Sequence, residues 1–218
     1  ELLQSPLWAA VQEAEGRKFF FVGSFDKEEQ LLYSCLAIKN PLPFGKSWLY
    51  TPRPMFQNNE QLVNTSTYLQ SLAKRENAIF WKVEGIKKLG IKNKDLRIKS
   101  IALQEKVHNS LFIIHNSQPL QPLETFILDL SQTEKQLLEK MKPKTRYNVQ
   151  LAKKSGGAVR WSREEKDVHI FYSLLTATAK RQKITTHHLK HYLNIIKIIG
   201  KENAASLVIG SYKRTPIA

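Results

Sequence analysis

Pro119 and Pro122 stand three residues apart in the segment Gln118-Pro119-Leu120-Gln121-Pro122, near the middle of a 218-residue chain. Proline lacks a backbone donor and fixes its own φ, so no helix interior or central strand runs through such a segment. The segment therefore reads as a boundary. It divides the chain into a first domain over 1–120 and a second over 121–218, a size that suits either one large domain or two small ones. Strand and helix signals mix on both sides, which predicts a mixed α/β (α+β) chain in two halves. No repeat of the solenoid kind recurs along it.

In the first half, Ser5 is placed to cap and Pro6 to open a helix that runs to about Glu15 and stops at Gly16. Lys18–Gly23 and Gln30–Lys39 read as two strands joined through the polar turn Asp26–Glu29, a hairpin. Ser47–Thr51 reads as a third strand after the loop Asn40–Gly45. Apolar residues at Leu62, Tyr68, Leu69 and Leu72 predict an amphipathic helix over Asn59–Arg75. Ala78–Glu84 reads as a buried strand with a polar end, Lys87–Lys99 as a basic loop, and Leu111–Ile114 as a short strand.

In the second half, Thr125–Leu130 reads as a strand, and Ser131-Gln132-Thr133-Glu134 as a capping box opening a helix through Lys140. Pro143 suits the first turn of a helix that ends at Gly156-Gly157. Asp167–Arg181 and Thr186–Ile199 read as further helices, the latter with a core stripe of Leu189, Leu193, Ile196 and Ile199. Ala204–Tyr212 reads as a strand, Lys213–Pro216 as a turn, and Ile217-Ala218 as the start of a return strand. A hairpin cut there leaves backbone groups without partners, so the chain is expected to be a fragment of a longer protein.

Charge is lopsided. Between Gln132 and Lys201, 16 Lys and Arg stand against five acids, a net of +11 out of the chain's +15. Salt-bridged helix faces need both signs, so this surplus predicts an anion-binding surface facing nucleic acid, nucleotide-sugar phosphates or an acidic membrane face. The single cysteine, Cys35, excludes an internal disulfide framework and lies in the apolar run Leu31–Leu36, where a buried structural thiol is expected. No run reaches the roughly 18 apolar residues of a membrane span. Glu1–Gln4 has neither a basic n-region nor a cleavage signal.

Few local motifs carry chemistry. Lys142–Val149 gathers Lys144, Thr145 and Arg146 at a helix start, where backbone N–H groups also attract anions; Lys144 and Arg146 are the candidate phosphate or tRNA contacts. Tyr147 and Leu151, one turn apart, are expected to face the core. His187 and His191, four residues apart, are expected to share a helix face, yet no acid lies between Arg181 and Lys201 to complete or polarise a zinc site. No metal is expected. Phe44-Gly45-Lys46-Ser47 imitates the end of a phosphate loop, but the earlier glycine is replaced by Asn40 and no helix follows. The aromatics Phe19, Phe20, Phe21, Phe80 and Trp81 read as core pattern.

Several stretches, in order, resemble the FemABX peptidoglycan-bridge aminoacyltransferases. They are Gln4-Ser5-Pro6-Leu7-Trp8, Tyr50-Thr51-Pro52-Arg53-Pro54, Ile79–Glu84, Gln121-Pro122 with Thr125, Ile127–Ser131, and Lys142–Gly156. Phe171-Tyr172 with Thr178, Lys180-Arg181, and His188 with Tyr192 complete the set. The family usually reads Pro-Arg-Gly-Pro where Pro54 here follows Arg53 directly. The resemblance implies tandem GNAT-like domains, the first binding the precursor and the second incomplete at Ala218. It also implies an enzyme that moves an amino acid from aminoacyl-tRNA to the stem-peptide amine of UDP-MurNAc-pentapeptide or its lipid-linked form, lipid II, held in a cleft between the domains.

By the same resemblance Glu84 matches a substrate-contacting carboxylate and Tyr192 a precursor-binding tyrosine. His188 stands where some members carry a phosphate-binding arginine, for which Arg181 would compensate; a family lysine is replaced in the region of Ala10 and Gln12. The lysine of the transfer step would lie beyond Ala218, so no catalytic residue is assigned and a chain ending there is expected to be inactive alone. Aminoacyl-tRNA is the implied co-substrate, with no other cofactor. A monomer is implied, in the cytosol at the inner face of the membrane, with peripheral membrane association. Two alternatives stay open: a GNAT-type acyltransferase using acyl-CoA, and a non-catalytic RNA-binding module.

Overall fold

The computed structural model describes residues 2–56, 58–84, 120–122 and 128–218. The basic stretch Lys87–Lys99, the strand expected at Leu111–Ile114, and Gln118, Pro119, Thr125 and Ile127 lie outside the described residues. Two compact units divide the chain, Glu1–Leu123 and Glu124–Ala218. Among the described residues the chain is mixed α/β, with two sheets and six α-helices.

The first unit opens with a 3-10 turn, Leu2–Gln4, and helix α1, Pro6–Ala14. The Ser5 hydroxyl accepts from the Trp8 N–H, and Pro6 occupies the first turn where its missing donor costs nothing. Strands β1 (Phe19–Phe25), β2 (Leu31–Pro41) and β3 (Ser47–Pro52) run antiparallel in sequence. Helix α2, Asn59–Arg75, carries the chain over so that β4 (Ala78–Glu84) pairs parallel with β3. The sheet order is β1-β2-β3-β4.

Both faces of β2 are covered. Cys35 and Ala37 pack with Val22, Leu49, Leu69 and Leu72 on the α2 side, while Leu36 and Ile38 pack with Ala9 and Trp8 of α1 on the other. A strand covered on both faces reads as an unbroken apolar run, which is what Cys35–Ile38 shows. Burial pushes the Cys35 thiol up to about 11, so it is a packing residue. Three expectations are corrected. Phe21, read as part of the core, is exposed. Tyr68 is exposed, one position off the stripe that buries Leu69 and Leu72. Strand β4 is only half-buried, because among the described strands it has a neighbour on one side alone.

Gln4 closes a gap in this sheet. The β2–β3 register pairs Ile38 with Tyr50, and extending it places Leu36 opposite Pro52. Pro52 has no N–H to give. The Gln4 carboxamide inserts instead: its Nε2 donates to the Pro52 carbonyl and its Oε1 accepts from the Leu36 N–H at 2.8 Å. Leu36 and Pro52 are fully buried, so water cannot replace it.

In the second unit, Leu128–Leu130 is not a strand, and the rest of the expected Thr125–Leu130 strand lies outside the described residues. Helix α3, Glu134–Lys140, does have a capping box, but Thr133 and Gln136 form it. Ser131 is instead held by Asp129, whose side chain takes both its N–H and its hydroxyl. Helix α4, Pro143–Lys154, ends as expected at Gly156, whose φ of +87° suits glycine; a Cβ on Gly157 would meet the Ala152 carbonyl oxygen at 2.7 Å. Strand β5, Gly157–Ser162, has no counterpart among the expected elements. It pairs antiparallel with β6, Leu207–Tyr212, which pairs with the short β7, Thr215–Pro216. Helices α5, Glu165–Gln182, and α6, Leu189–Ile198, pack on one another, and α5 also packs on β6.

One buried charge anchors β5 to α5. Asp167 is fully buried in the first turn of α5, and Arg160 of β5 grips it with two N–H···O bonds of 2.6 and 2.5 Å. Arg160, then the Ser162 hydroxyl, hold the Asp167 carboxyl well below the usual carboxylate range, against the opposing pull of burial. The native carboxyl thus has a lower pKa than the unfolded one. Its contribution is present above the unfolded value of about 3.9 and is lost as pH falls through the native value.

Gln4→Ala should lower the unfolding free energy by about 2–4 kcal/mol, the cost of two buried backbone groups left without partners. Urea denaturation measures it, and an unchanged midpoint would mean the β2–β3 ladder closes without Gln4. Arg160→Met should destabilise strongly at pH 7 and progressively less as pH falls from about 5 to about 3. A deficit constant with pH would remove the Asp167 ion pair as its cause.

Candidate active site

At the C-terminal ends of β3 and β4 the parallel register sets Tyr50 beside Lys82 and Pro52 beside Glu84. Alternation along the strands turns Tyr50, Lys82 and Glu84 to one face. Glu84 is the hub. Its Oε1 accepts from the Leu120 N–H at 2.7 Å and lies 3.2 Å from Lys82 Nζ; its Oε2 accepts from the Tyr50 hydroxyl at 2.9 Å and the Gln121 N–H at 3.0 Å. A carboxylate offers about four lone-pair sites, and four donors fill them. Burial raises the Glu84 pKa, but the Leu120 N–H, Tyr50, Lys82 and the Gln121 N–H outweigh it and hold the carboxyl below its ordinary value. Burial first, and then the neighbouring Glu84, push the Tyr50 phenol up despite the opposing Gln121 side chain.

Arg53 extends the arrangement. Its φ is +46°, a left-handed conformation in a stretch with no glycine after the arginine, and its Nη2 donates to the Pro122 carbonyl at 3.0 Å. Behind it, Trp81 Nε1 donates to Thr51 Oγ1 at 2.9 Å, and Gln4 holds Pro52. Four stretches that resemble the FemABX enzymes separately in sequence are therefore one hydrogen-bonded network. Sequence reasoning singles out Glu84 alone and misses Tyr50, Arg53 and Lys82. The period-2 pattern of β4 is the signal that could have supplied Lys82; the pairing that brings Tyr50 to Glu84 has no local signature.

In the second unit, Tyr192 of α6 lies among aromatic rings, with centroids 5.1 Å from Phe171, 6.1 Å from Tyr172 and 5.3 Å from His191. Burial raises its phenol pKa, the His187 backbone N–H lowers it, and Tyr172 raises it; the net direction is up. His188 is exposed at the N-cap position of α6, where its side chain makes no capping bond. Arg181 is exposed in the last turn of α5. Arg181, His188 and Tyr192 thus share the helical hairpin α5–α6. Helix α6 begins at Leu189, not Thr186, so His187 precedes it and shares no helix face with His191. The two rings nonetheless stack at 4.1 Å across the helix start. Among the described residues no group of three His, Cys, Asp or Glu is placed to hold a metal.

Lys144 is exposed in the first turn of α4, and no side chain caps that helix start. Arg146 is partly buried, and its Nη1 donates to the carbonyls of Glu139 at 3.0 Å, Leu138 at 3.3 Å and Met141 at 3.5 Å. It thereby closes the C-terminus of α3, where unpaired carbonyls favour a cation. Tyr147 and Leu151 do not face the core: both are exposed, Tyr147 by 62%. Helix α4 touches the unit mainly through β5, so most of its circumference meets solvent.

No curated protein matches the sequence. A family model described as the FemAB family matches residues 1–213. Among solved structures, a crystal structure of FemX superposes with a TM-score of 0.75 at 20% identity, covering 96% of this chain and 52% of that one. The chain thus spans about half the length of that structure, and the likeness establishes a shared fold.

Tyr50→Phe removes one of Glu84's donors and should raise the Glu84 pKa toward the ordinary glutamate value, read by 13C NMR of labelled carboxylates. Ordinary titration in the unsubstituted protein, or no change in the variant, would refute the network.

Proposed function

Because the chain belongs to the FemAB family, we propose that it is part of a peptidoglycan-bridge aminoacyltransferase. The reaction takes an amino acid from aminoacyl-tRNA to the stem-peptide amine of UDP-MurNAc-pentapeptide or lipid II. The observation that carries this reading is the family match over residues 1–213. The net charge of +11 over Gln132–Lys201 supports it, since both reactants are polyanions.

The chemistry is aminolysis of an ester. The amine nitrogen attacks the aminoacyl carbonyl carbon, the bond to the tRNA ribose oxygen breaks, and one proton passes from the amine to the departing hydroxyl. The ester is already activated, so the protein's task is to orient the pair, receive a neutral amine and stabilise the oxyanion. A lysine-type amine has a pKa near about 10.4, so binding must favour its neutral form. This reading assigns no catalytic base to residues 1–218.

Within the proposal, the first unit binds the precursor. Glu84 contacts it by exchanging one of its four present donors for a donor of the stem peptide. Tyr192, His188 and Arg181 offer a phenol, an imidazole and a guanidinium to the precursor, and Lys144, with the N–H groups of Arg146 that are not engaged at the end of α3, faces phosphate or RNA backbone. The tandem GNAT-like arrangement and a location near the inner membrane face belong to the same reading. No helix among the described residues is long and apolar enough to cross a membrane.

In full-length protein, transfer of a labelled amino acid from charged tRNA should require the precursor. Glu84→Gln and Tyr192→Phe should each raise the precursor KM about ten-fold, the worth of one hydrogen bond to a charged or half-buried group. Turnover of acetyl-CoA without tRNA, or tRNA binding indifferent to precursor in a protein that transfers nothing, would overturn the assignment.

A further inference from the structure

The loop between β2 and β3 carries the most exposed large apolar side chain among the described residues: Phe44, 99% accessible. Its backbone φ is +58°. Eight described non-glycine residues have positive φ, and Phe44 alone of them is apolar. The conformation favours glycine or asparagine, and the exposure favours any polar residue. A phenylalanine there is unfavourable to folding on both counts, so folding does not account for it. Strain of this kind points to use at the surface.

The loop is held rigid rather than left loose. The Leu42 N–H donates to the Lys46 carbonyl at 2.8 Å, Asn77 Nδ2 donates to the Gly45 carbonyl at 2.9 Å, and Lys46 Nζ donates to Asn77 Oδ1 at 3.1 Å. The Ser47 N–H donates to the Asn77 carbonyl at 3.0 Å. Pro41 and Pro43 beside Phe44 are exposed too, so the apolar tip is one ring and two prolines.

The same end of the sheet is cationic. The strand pairings place there the start of β1, the end of β2, the start of β4 and the last turn of α2. Arg17, Lys18, Lys39, Lys46, Lys74 and Arg75 thus lie in the segments at this end of the sheet, together with Glu13, Glu15 and Glu76. Lys18 and Lys39 share Glu76, at 2.6 and 2.9 Å, and Arg17 pairs with Glu15 at 2.9 Å. Six cations against three acids leave this end with a net charge of +3. The opposite end of the sheet holds the acidic turn of Asp26, Glu28 and Glu29.

We propose that the Phe44 tip docks the first unit on an anionic lipid surface, with the ring inserted at the headgroup level and the surrounding lysines and arginines facing lipid phosphates. A bilayer accepts a single wedge with cations around it. A stable protein partner would need roughly 800 Å² per side, far more than one ring and two prolines offer. The proposal concerns a surface remote from Glu84, along the strands, and does not rest on the aminoacyl-transfer reading.

Vesicles of phosphatidylcholine, with and without one-third phosphatidylglycerol, test it by co-sedimentation of the full chain. The cationic second unit would also adsorb to such vesicles, so the readout must be specific to the tip. Phe44→Asn suits the left-handed backbone and should leave the urea midpoint unchanged or higher, while weakening binding to anionic vesicles about ten-fold. Phe44→Trp should restore binding and add emission that shifts blue on vesicles and is quenched by acyl-chain-brominated lipid. Unchanged binding by Phe44→Asn overturns the proposal, as does added indole emission in Phe44→Trp that ignores vesicles while the protein sediments with them. Equal binding to neutral and anionic vesicles, or none to either, overturns it as well.

Discussion

A half-buried carboxylate must collect donors, and the first unit is organised around Glu84 collecting four. Two come from neighbouring side chains on the sheet, Tyr50 and Lys82, and two from backbone N–H groups of residues far ahead in the chain, Leu120 and Gln121. The backbone pair matters most. It ties the chain boundary to the end of a strand, and Arg53 repeats the tie from the end of β3 through the Pro122 carbonyl. A segment with two prolines cannot join a sheet as a regular strand. Two side chains fix it instead, Glu84 accepting from its N–H groups and Arg53 donating to its carbonyl.

The same logic operates at Gln4. A proline at the end of β3 leaves the ladder one donor short, and a carboxamide, which both donates and accepts, fills the gap. A carboxylate could not donate and a hydroxyl could not span it. The stretches that resemble one another across this family therefore have a physical unity: Gln4, Tyr50–Arg53, Trp81–Glu84 and Gln121-Pro122 are partners in one network. Their order along the chain is a record of contacts. That unity leaves Glu84 a saturated acceptor, so any further donor that reached it would have to displace one of the four already there.

What the sequence reveals follows from range. Helix α2 is legible to the residue, because its stripe and polar flanks are local, and α1, capped by Ser5, and the β1–β2 hairpin are legible with ends displaced by one or two residues. The capping box reads two residues early, because Ser131 and Thr133 both satisfy the pattern and only Asp129 decides between them. Strand β5 escapes the reading, as six residues between a Gly-Gly pair and a helix carry little periodicity, although Val159 and Trp161 do alternate. The exposure of Tyr147 and Leu151 is not legible: apolar residues one turn apart imply a face, but not what covers it. The parallel β3–β4 pairing and the Glu84 donors Tyr50, Leu120 and Gln121 depend on contacts between residues distant in the chain.

Electrostatics separates the two units more sharply than topology does. Among the described residues of the second unit, ion pairs join Lys153 to Glu134, Lys166 to Glu164 and Arg160 to Asp167. Only the last involves a fully buried acid; the other two are between exposed side chains, where an ion pair contributes about 0–1 kcal/mol. With 16 cations and five acids over Gln132–Lys201, most of the positive charge has no acid to meet and stays at the surface. Holding that surplus together disfavours the folded state through self-repulsion, and a polyanion relieves it. Any polyanion bound there would lower that cost, which is how a surface of this kind couples stability to occupancy.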